Sequence, residues 1–496
     1  KIFLILKYQF GFFVEKLLKI TIYYSKYIAL MYITLRPKFN FKILKFIFRY
    51  IFYTRMYINK LLIPFLVKFK MFNLLSYLLI FNLSKIKKIL PPKKTKYRVL
   101  VLSKSGGIDD LIVSQKKYNK NILYLECPRF FFIYIFETIF KNHPEITDDK
   151  YFSNNREVNK LKVEYKNFLV SFLTAFKKKY YFQKFIGFNF IYRAERELHV
   201  ASQELKIPFS VLFKESVLTE FEKNCDLFTY IKNNEKFKGY KLAVYSNFAK
   251  KYLIKSNLVN RKRIKVIGCS RLAISFSYKK NVPKNQILYY AIESHRGLPN
   301  IYFEKYGKYF YKDFKQYKQF NQKFNWRMLH INTLKILKDF AIKNPKTSII
   351  IKIKTGENYI ETDYFNLPKN IEIYKSGVGH AFLKDSKVVI GWNSTAILEA
   401  IAANRFILLP YFYEKNKFFQ ECELKLGLKK ENYGYSENDF SRKLVYLVNR
   451  KYLVQNNYNN SVSLDYYLGN SKNDADLRLN KFLINNLNYK DNSLTF

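Results

Sequence analysis

Val388-Val389-Ile390-Gly391-Trp392-Asn393-Ser394-Thr395-Ala396-Ile397-Leu398-Glu399-Ala400 is the stretch whose residue types and spacing are best suited to chemistry. An aliphatic run, a glycine turn and a helix-forming stretch succeed one another within thirteen residues. That is the pattern of a buried strand passing straight into a helix. Asn393 or Ser394 supplies the helix cap. The first amides and hydroxyls of the helix then face the loop, where its positive end attracts phosphate. Thr395 and Glu399 lie four apart and share one helical face. The carboxylate can therefore accept hydrogen bonds from a ribose diol while the helix start holds a diphosphate. Ile397, Ala400 and Ile401 form the buried face, and Asn404 suits a left-handed C-cap.

Other reactive residue types are scattered. His380, in Gly377-Val378-Gly379-His380 before a short helix, either touches a base or phosphate or caps that helix. His295, in Glu293-Ser294-His295-Arg296-Gly297, reads as a structural or loop residue. The loop Ser103-Lys104-Ser105-Gly106-Gly107 lacks the GxGxxG spacing of a phosphate cradle. Cys127, Cys225, Cys269 and Cys422 form no CxxC or zinc spacing, and the five histidines are dispersed, so no metal site is expected and a reducing compartment is.

A strand–turn–helix loop needs a parallel sheet to hold it, and the chain supplies two. Pro91-Pro92-Lys93-Lys94 leads into the run Tyr97 to Leu102, which predicts a buried strand. Asp109 to Lys116 predicts a helix, and strands follow at Asn121 to Leu125, Lys184 to Phe190, Phe209 to Phe213, Leu242 to Tyr245 and Ile264 to Gly268. A second alternation begins at Ile287 to Ala291 and passes a helix from Trp326 to Lys343. It continues through strands at Thr347 to Lys354, Ile371 to Tyr374, Lys387 to Ile390 and Phe406 to Leu409. The expected domains are residues 94–282 and 283–435, with a cleft between them. A helical, Asn-rich tail occupies 436–496 and carries one clear helix near Ser436 to Asn449. Ligands in such sheets collect at the carboxyl ends of strands.

The first ninety residues differ in kind, with seventeen Lys or Arg against Glu15 alone. Their best uncharged run, Met71 to Ser84, is too short to span a bilayer. Segments such as Lys7 to Lys26 and Phe39 to Tyr53 resemble amphipathic helices whose lysines reach anionic headgroups. Residues 1–93 are thus expected to be a mainly helical, membrane-associating arm; the other reading is ordinary core helices with solvent-facing lysines. Over all 496 residues the formal charge is +50, with 49% hydrophobic and 25% charged residues. This composition excludes a disordered chain and points to an anionic partner. AT-rich codons also produce surplus Lys, Phe, Tyr, Ile and Asn, so charge alone does not choose the partner. The chain begins with Lys1 rather than Met, which suggests truncation or processing.

The segment from Val388 to Ala400, with Phe406-Ile407-Leu408-Leu409-Pro410 as the next strand, resembles the nucleotide-binding half of GT-B glycosyltransferases, especially those of capsule and surface-carbohydrate biosynthesis. The resemblance is clearest from about Lys241 to Phe412. Tyr245-Ser246-Asn247 through Gly268-Cys269-Ser270-Arg271-Leu272 is similar to the end of the first domain, where relatives carry a Gly-Ser-Pro-Arg-like turn. Ile351-Lys352-Ile353-Lys354 is similar to a strand that ends in Lys-Pro-His-Pro elsewhere. Here Thr355-Gly356-Glu357 follows, which leaves Lys354, or Lys352, as the phosphate ligand.

The resemblance implies two Rossmann-like domains, a nucleotide-sugar donor bound by Lys354, Gly391, Asn393, Ser394, Thr395, Glu399 and His380, and no cofactor. Metal independence is also implied, because helix dipole and cations stabilise the departing diphosphate. The acceptor would be a surface polysaccharide or lipopolysaccharide, free or lipid-linked. The protein would be cytoplasmic and peripheral on the inner face of the plasma membrane. A catalytic base should sit across the cleft; Glu215, in Phe-Lys-Glu-Ser after the strand Phe209 to Phe213, is the choice, with Asp109 and Asp110 as alternatives. A nucleotide-sugar 2-epimerase or a polyol-phosphate transferase of the same fold are the alternative enzymes. The alternative outside enzymes is a basic nucleic-acid-binding protein, for which no RRM, KH or helix-turn-helix signature is present, so no nucleic-acid partner is expected.

Overall fold

The computed structural model describes residues 57–487, apart from 147–150, 152–155, 225–235, 293–325, 355–363, 413–419, 452–460 and a few scattered positions. The expectations for Lys7 to Lys26, Phe39 to Tyr53, His295, Ser105 and Thr355 to Glu357 fall outside the described residues.

Two sheets organise the chain. The first contains β1 (Ser84–Lys85), β2 (Tyr97–Leu102), β3 (Ile122–Cys127), β4 (Lys184–Gly187), β5 (Phe209–Phe213), β6 (Lys241–Val244) and β7 (Ile264–Val266). Their spatial order is β1-β3-β2-β4-β5-β6-β7. All pairings are parallel except that of β1 with β3. The second contains β8 (Gln286–Tyr290), β9 (Ser348–Lys352), β10 (Ile371–Tyr374), β11 (Val388–Ile390), β12 (Phe406–Pro410) and β13 (Tyr433–Gly434), in the order β10-β9-β8-β11-β12-β13 and wholly parallel. Every residue of β4, β5, β11 and β12 is buried, as strands covered on both faces require. The architecture is α/β and GT-B-like, with two Rossmann-like domains.

Strand order fixes where ligands can bind. The chain runs from β2 out to β3 and returns to β4 on the other side of β2; it repeats the move from β8 through β9 and β10 to β11. Each reversal opens a crevice at the carboxyl ends of the strands. Lys104 follows β2 at one crevice, and Gly391 follows β11 at the other.

The described part of the N-terminal stretch packs into the core of the first domain. Leu74, Leu75, Leu78 and Leu79 of the helix Phe72–Asn82 are buried in one cluster with Phe168, Phe172 and Phe176 of the helix Arg156–Lys179. The uncharged run too short for a bilayer is a core helix, since each buried Leu contributes roughly 1.5–3 kcal/mol. Asn59 and Asn82 exchange two buried amide hydrogen bonds, of 3.1 and 2.9 Å, which lock the preceding helical residues 57–68 against it. Among the described residues no helix is long and apolar enough to cross a membrane.

The tail beyond 435 has more structure than its Asn-rich composition suggests. The helix Glu437–Asn449 packs on the second domain, and the chain then returns to the first. Leu479, Phe482 and Leu483 of the helix Ala475–Asn485 are buried against Val99, Val101, Ile186 and Ala243. Cys269 N–H donates to Leu468 O at 2.8 Å, and Ser114 Oγ donates to Asp476 O at 2.7 Å. The crossing needs two glycines with left-handed backbone, Gly268 (φ +75°) and Gly469 (φ +56°). A Cβ on Gly268 would lie 2.7 Å from Gly469 O, and one on Gly469 would overlap Tyr245 O.

Candidate active site

The loop after β11 forms as its residue types direct. Gly391 is buried where a Cβ would come within 3.0 Å of Ile397 Cδ1 and 3.4 Å of Tyr290 Cβ, so glycine lets strand and helix close on one another. Asn393 adopts φ +45°, a left-handed conformation that Asn tolerates better than most residues. Its amide donates to Cys422 O at 2.6 Å and accepts from Leu424 N at 3.0 Å. Ser394 is the N-cap of the helix Thr395–Ala402, its hydroxyl accepting from Ala396 N at 3.3 Å. Asn404 takes the expected left-handed conformation, φ +57°. The side chains of Asn393 and Ser394 thus hold the turn itself, while Thr395 is exposed at the helix start.

Glu399 points elsewhere than a ribose site alone would require. Its Oε1 accepts from Arg271 Nε at 3.1 Å, and only 8% of the residue is exposed. Arg271 belongs to the turn after β7. Its Nη1 donates to Asp110 Oδ2 at 2.9 Å and to Tyr245 Oη at 2.6 Å, and its backbone N–H donates to Asp110 Oδ1 at 2.8 Å. Tyr245 Oη donates in turn to Asp110 Oδ2. Burial works to lower the Arg271 pKa, but Cys269, Tyr245, Asp110 and Glu399 outweigh it and hold the guanidinium charged. Asp110 is therefore a buried structural anchor rather than a base, whereas Asp109 is half-buried in the first turn of Gly107–Tyr118.

The remaining residues expected on the donor side are His380, Lys354 and Lys352. His380 is the second residue of a 3-10 helix, Gly379–Lys384, which packs on Thr395–Ala402; Tyr290 Oη donates to Gly379 O at 3.1 Å and pins it to the end of β8. Lys354 is exposed beyond β9. Lys352 is buried with its Nζ donating to Ile353 O.

Glu215 follows β5 in the first domain, and the charge of Lys354 from the second reaches it. Its half-exposed carboxylate accepts from Lys104 Nζ at 2.6 Å. Desolvation works to raise its pKa; Lys104, Lys214 and Lys354 outweigh that and hold it below the ordinary carboxylate range. Burial brings Lys214 down to about 8, opposed by Glu215 and reinforced by Lys104 and Arg271.

Sequence reasoning missed Lys104, Lys214, Arg271, Arg129 and Tyr192. The available signal was position, since Lys104, Lys214 and Arg129 each come within two residues of a strand's carboxyl end. Among the described residues no three His, Cys, Asp or Glu side chains gather as a metal ion would need.

No family model matches the chain. No curated protein matches it either. Among solved structures, it is similar to a UDP-GlcNAc 2-epimerase from Neisseria meningitidis bound to UDP-GlcNAc, at 12% identity and a TM-score of 0.41, covering 78% of this chain and all of that one. An α,α-trehalose-phosphate synthase (UDP-forming) from Burkholderia vietnamiensis matches at 10% identity and a TM-score of 0.39, over 79% and 99% of the two chains. A glycotransferase of kitacinnamycin gives 12% identity and a TM-score of 0.39, over 79% and 100%.

Proposed function

We propose that the chain is a glycosyltransferase that takes a sugar from a nucleotide-activated donor and transfers it to a surface polysaccharide or lipopolysaccharide acceptor. Two features support the reading: the capped start of Thr395–Ala402 lies at the carboxyl edge of the second sheet, and the charge of Lys354, beyond β9 of that sheet, reaches the Glu215 carboxylate of the first domain. The helix start and Lys354 hold the donor diphosphate; His380 flanks the base or phosphate side. Glu215 is the general base. It takes the proton of the acceptor hydroxyl as that oxygen bonds to the anomeric carbon, and the bond from that carbon to the diphosphate oxygen breaks, the electron pair leaving with the nucleotide diphosphate.

We place the enzyme on the inner face of the plasma membrane as a peripheral protein. Tyr57, Leu61 and Phe65, four residues apart and exposed on the helix over 57–68, support this, with exposed Lys60 and Lys68 beside them.

The test is a thermal-shift screen against UDP, GDP, CMP and CDP, repeated with Thr395→Asp. A nucleotide at a hundredfold excess over its dissociation constant stabilises the fold by about 2.7 kcal/mol. The shift should vanish when a carboxylate occupies the helix start. A shift that survives in Thr395→Asp removes this loop from the donor site.

A further inference from the structure

The first domain gathers cations that donor binding at Thr395 does not use. They stand in a row along its carboxyl edge: Arg129 after β3, Lys104 after β2 and Lys214 after β5. Between them Tyr192 caps the helix Arg193–Glu204. Lys104 Nζ donates to Tyr192 Oη, and both Lys104 Nζ and the Arg129 guanidinium lie 4.3 Å from the centroid of the Tyr192 ring. Two cations thus share one ring. Lys214 closes the group from the next loop, its Nζ 3.3 Å from where a Cβ on Gly106 would sit; the left-handed glycine (φ +77°) lets the loop after β2 lie against it. Lys354 adds its charge from the second domain.

Arg129 pairs with the buried Glu195. The charges of Lys104, Lys214 and Lys354 all fall on the carboxylate of Glu215; Asp110 also attracts Lys214, while Lys104 and Arg271 repel it. Like charges in a half-buried place raise one another's cost until an anion enters. A phosphate suits the place best, because several oxygens carry its charge and can accept from more than one lysine.

We propose that this cluster binds a phosphate or diphosphate carried by the acceptor, so that the acceptor is a phosphorylated saccharide, free or lipid-linked. This rests on the reading of the first domain as the acceptor side. Lys104 then exchanges Glu215 for a phosphate oxygen. Relieved of its nearest cation, the carboxylate regains the basicity that proton abstraction requires. Lys104 and Lys214 bind the acceptor and at the same time withhold the base until it has arrived.

The experiment titrates the full chain with inorganic diphosphate, a hexose 1-phosphate and a short-chain polyprenyl diphosphate in neutral micelles, each with and without UDP. Binding should persist in the presence of UDP and weaken roughly tenfold or more in Lys104→Met and Lys214→Met. The UDP-induced thermal shift should be unchanged in both variants. Preference for the hexose phosphate indicates a free acceptor, and preference for the polyprenyl compound a lipid-linked one. Should a variant fail to fold, acylation footprinting of the wild-type chain replaces it: diphosphate should protect Lys104 and Lys214. Absence of phosphate binding, equal binding in folded variants, or unprotected lysines overturns the proposal while leaving the donor reading untouched. Loss of the UDP shift with phosphate binding intact overturns the donor reading alone.

Discussion

Glu399 and Arg271 lie 128 residues apart and meet at 3.1 Å, tying the helix that starts at the candidate donor loop to the turn that closes the first sheet. The acidic residue expected to face a ribose is thus also a fastening between the two domains. Tyr245, Cys269 and Leu272 share one buried cluster with Ile397, Leu398 and Ile401, so the fastening sits within apolar packing.

Glu399→Ala should therefore destabilise the protein. Arg271 keeps Asp110 but loses one buried acceptor, which costs about 1–3 kcal/mol. Urea unfolding measures it. A loss of nucleotide affinity with no change in stability would mean that the carboxylate serves the ligand alone.

Asn393→Ala should cost about 1–3 kcal/mol, because Cys422 O and Leu424 N lose their partner and alanine resists a φ of +45°. Asn393→Gly restores the backbone freedom but not the hydrogen bonds. The difference between the two melting curves separates strain from bonding.

Stability should depend on pH through two buried bases. Lys184 is 1% exposed, its Nζ has no hydrogen-bond partner among the described residues, and burial lowers its pKa from 10.5 to about 7. Between those values the unfolded chain holds a proton that the folded chain does not, so stability rises with pH from about 7 toward 10.5. Burial first, with Arg196 adding, lowers His199 from 6.5 to about 3, so stability falls as pH drops through that window. Lys184→Met should raise stability at neutral pH and flatten the alkaline limb. Denaturant midpoints from pH 4 to 10 provide the check.

Gly469→Ala should loosen the crossing of the tail. The methyl group meets the Tyr245 carbonyl, and overpacking of this kind costs about 1–3 kcal/mol. Hydrogen exchange should quicken in Ala475–Asn485 and in the first sheet, and remain slow in the second.

Much of the framework was legible because it is written locally. The strands Tyr97–Leu102, Phe209–Phe213 and Ile371–Tyr374 have the bounds that their apolar runs predict, and a helix lies where the sequence places one, over Trp326–Lys343. Ser394 and Asn404 adopt the capping roles that their side chains suit. What escaped depends on distant pairing. Arg271 finds Asp110 across 161 residues, and Lys104 finds Glu215 across 111. The helix Ala475–Asn485 carries its buried Leu479, Phe482 and Leu483 among Asn, Asp and Lys, so its period gives little warning of the sheet it covers. The Leu-rich helix Phe72–Asn82 is apolar nearly all round, and only the packing partner decides whether such a helix is core or lipid-facing.

The returning tail also sets an order of events at the ribosome. Chains emerge at roughly 5–20 residues per second and domains tend to fold as units, the first one first. Here the first sheet, although synthesised early, waits for Leu479, Phe482 and Leu483 before the cover of one of its faces is complete. The second sheet, complete by Gly434, can close beforehand. During that interval Val99, Val101, Ile186 and Ala243 have only Leu111 and its early neighbours against them, and a premature stop codon shortly before residue 475 would leave that face half-covered for the lifetime of the molecule.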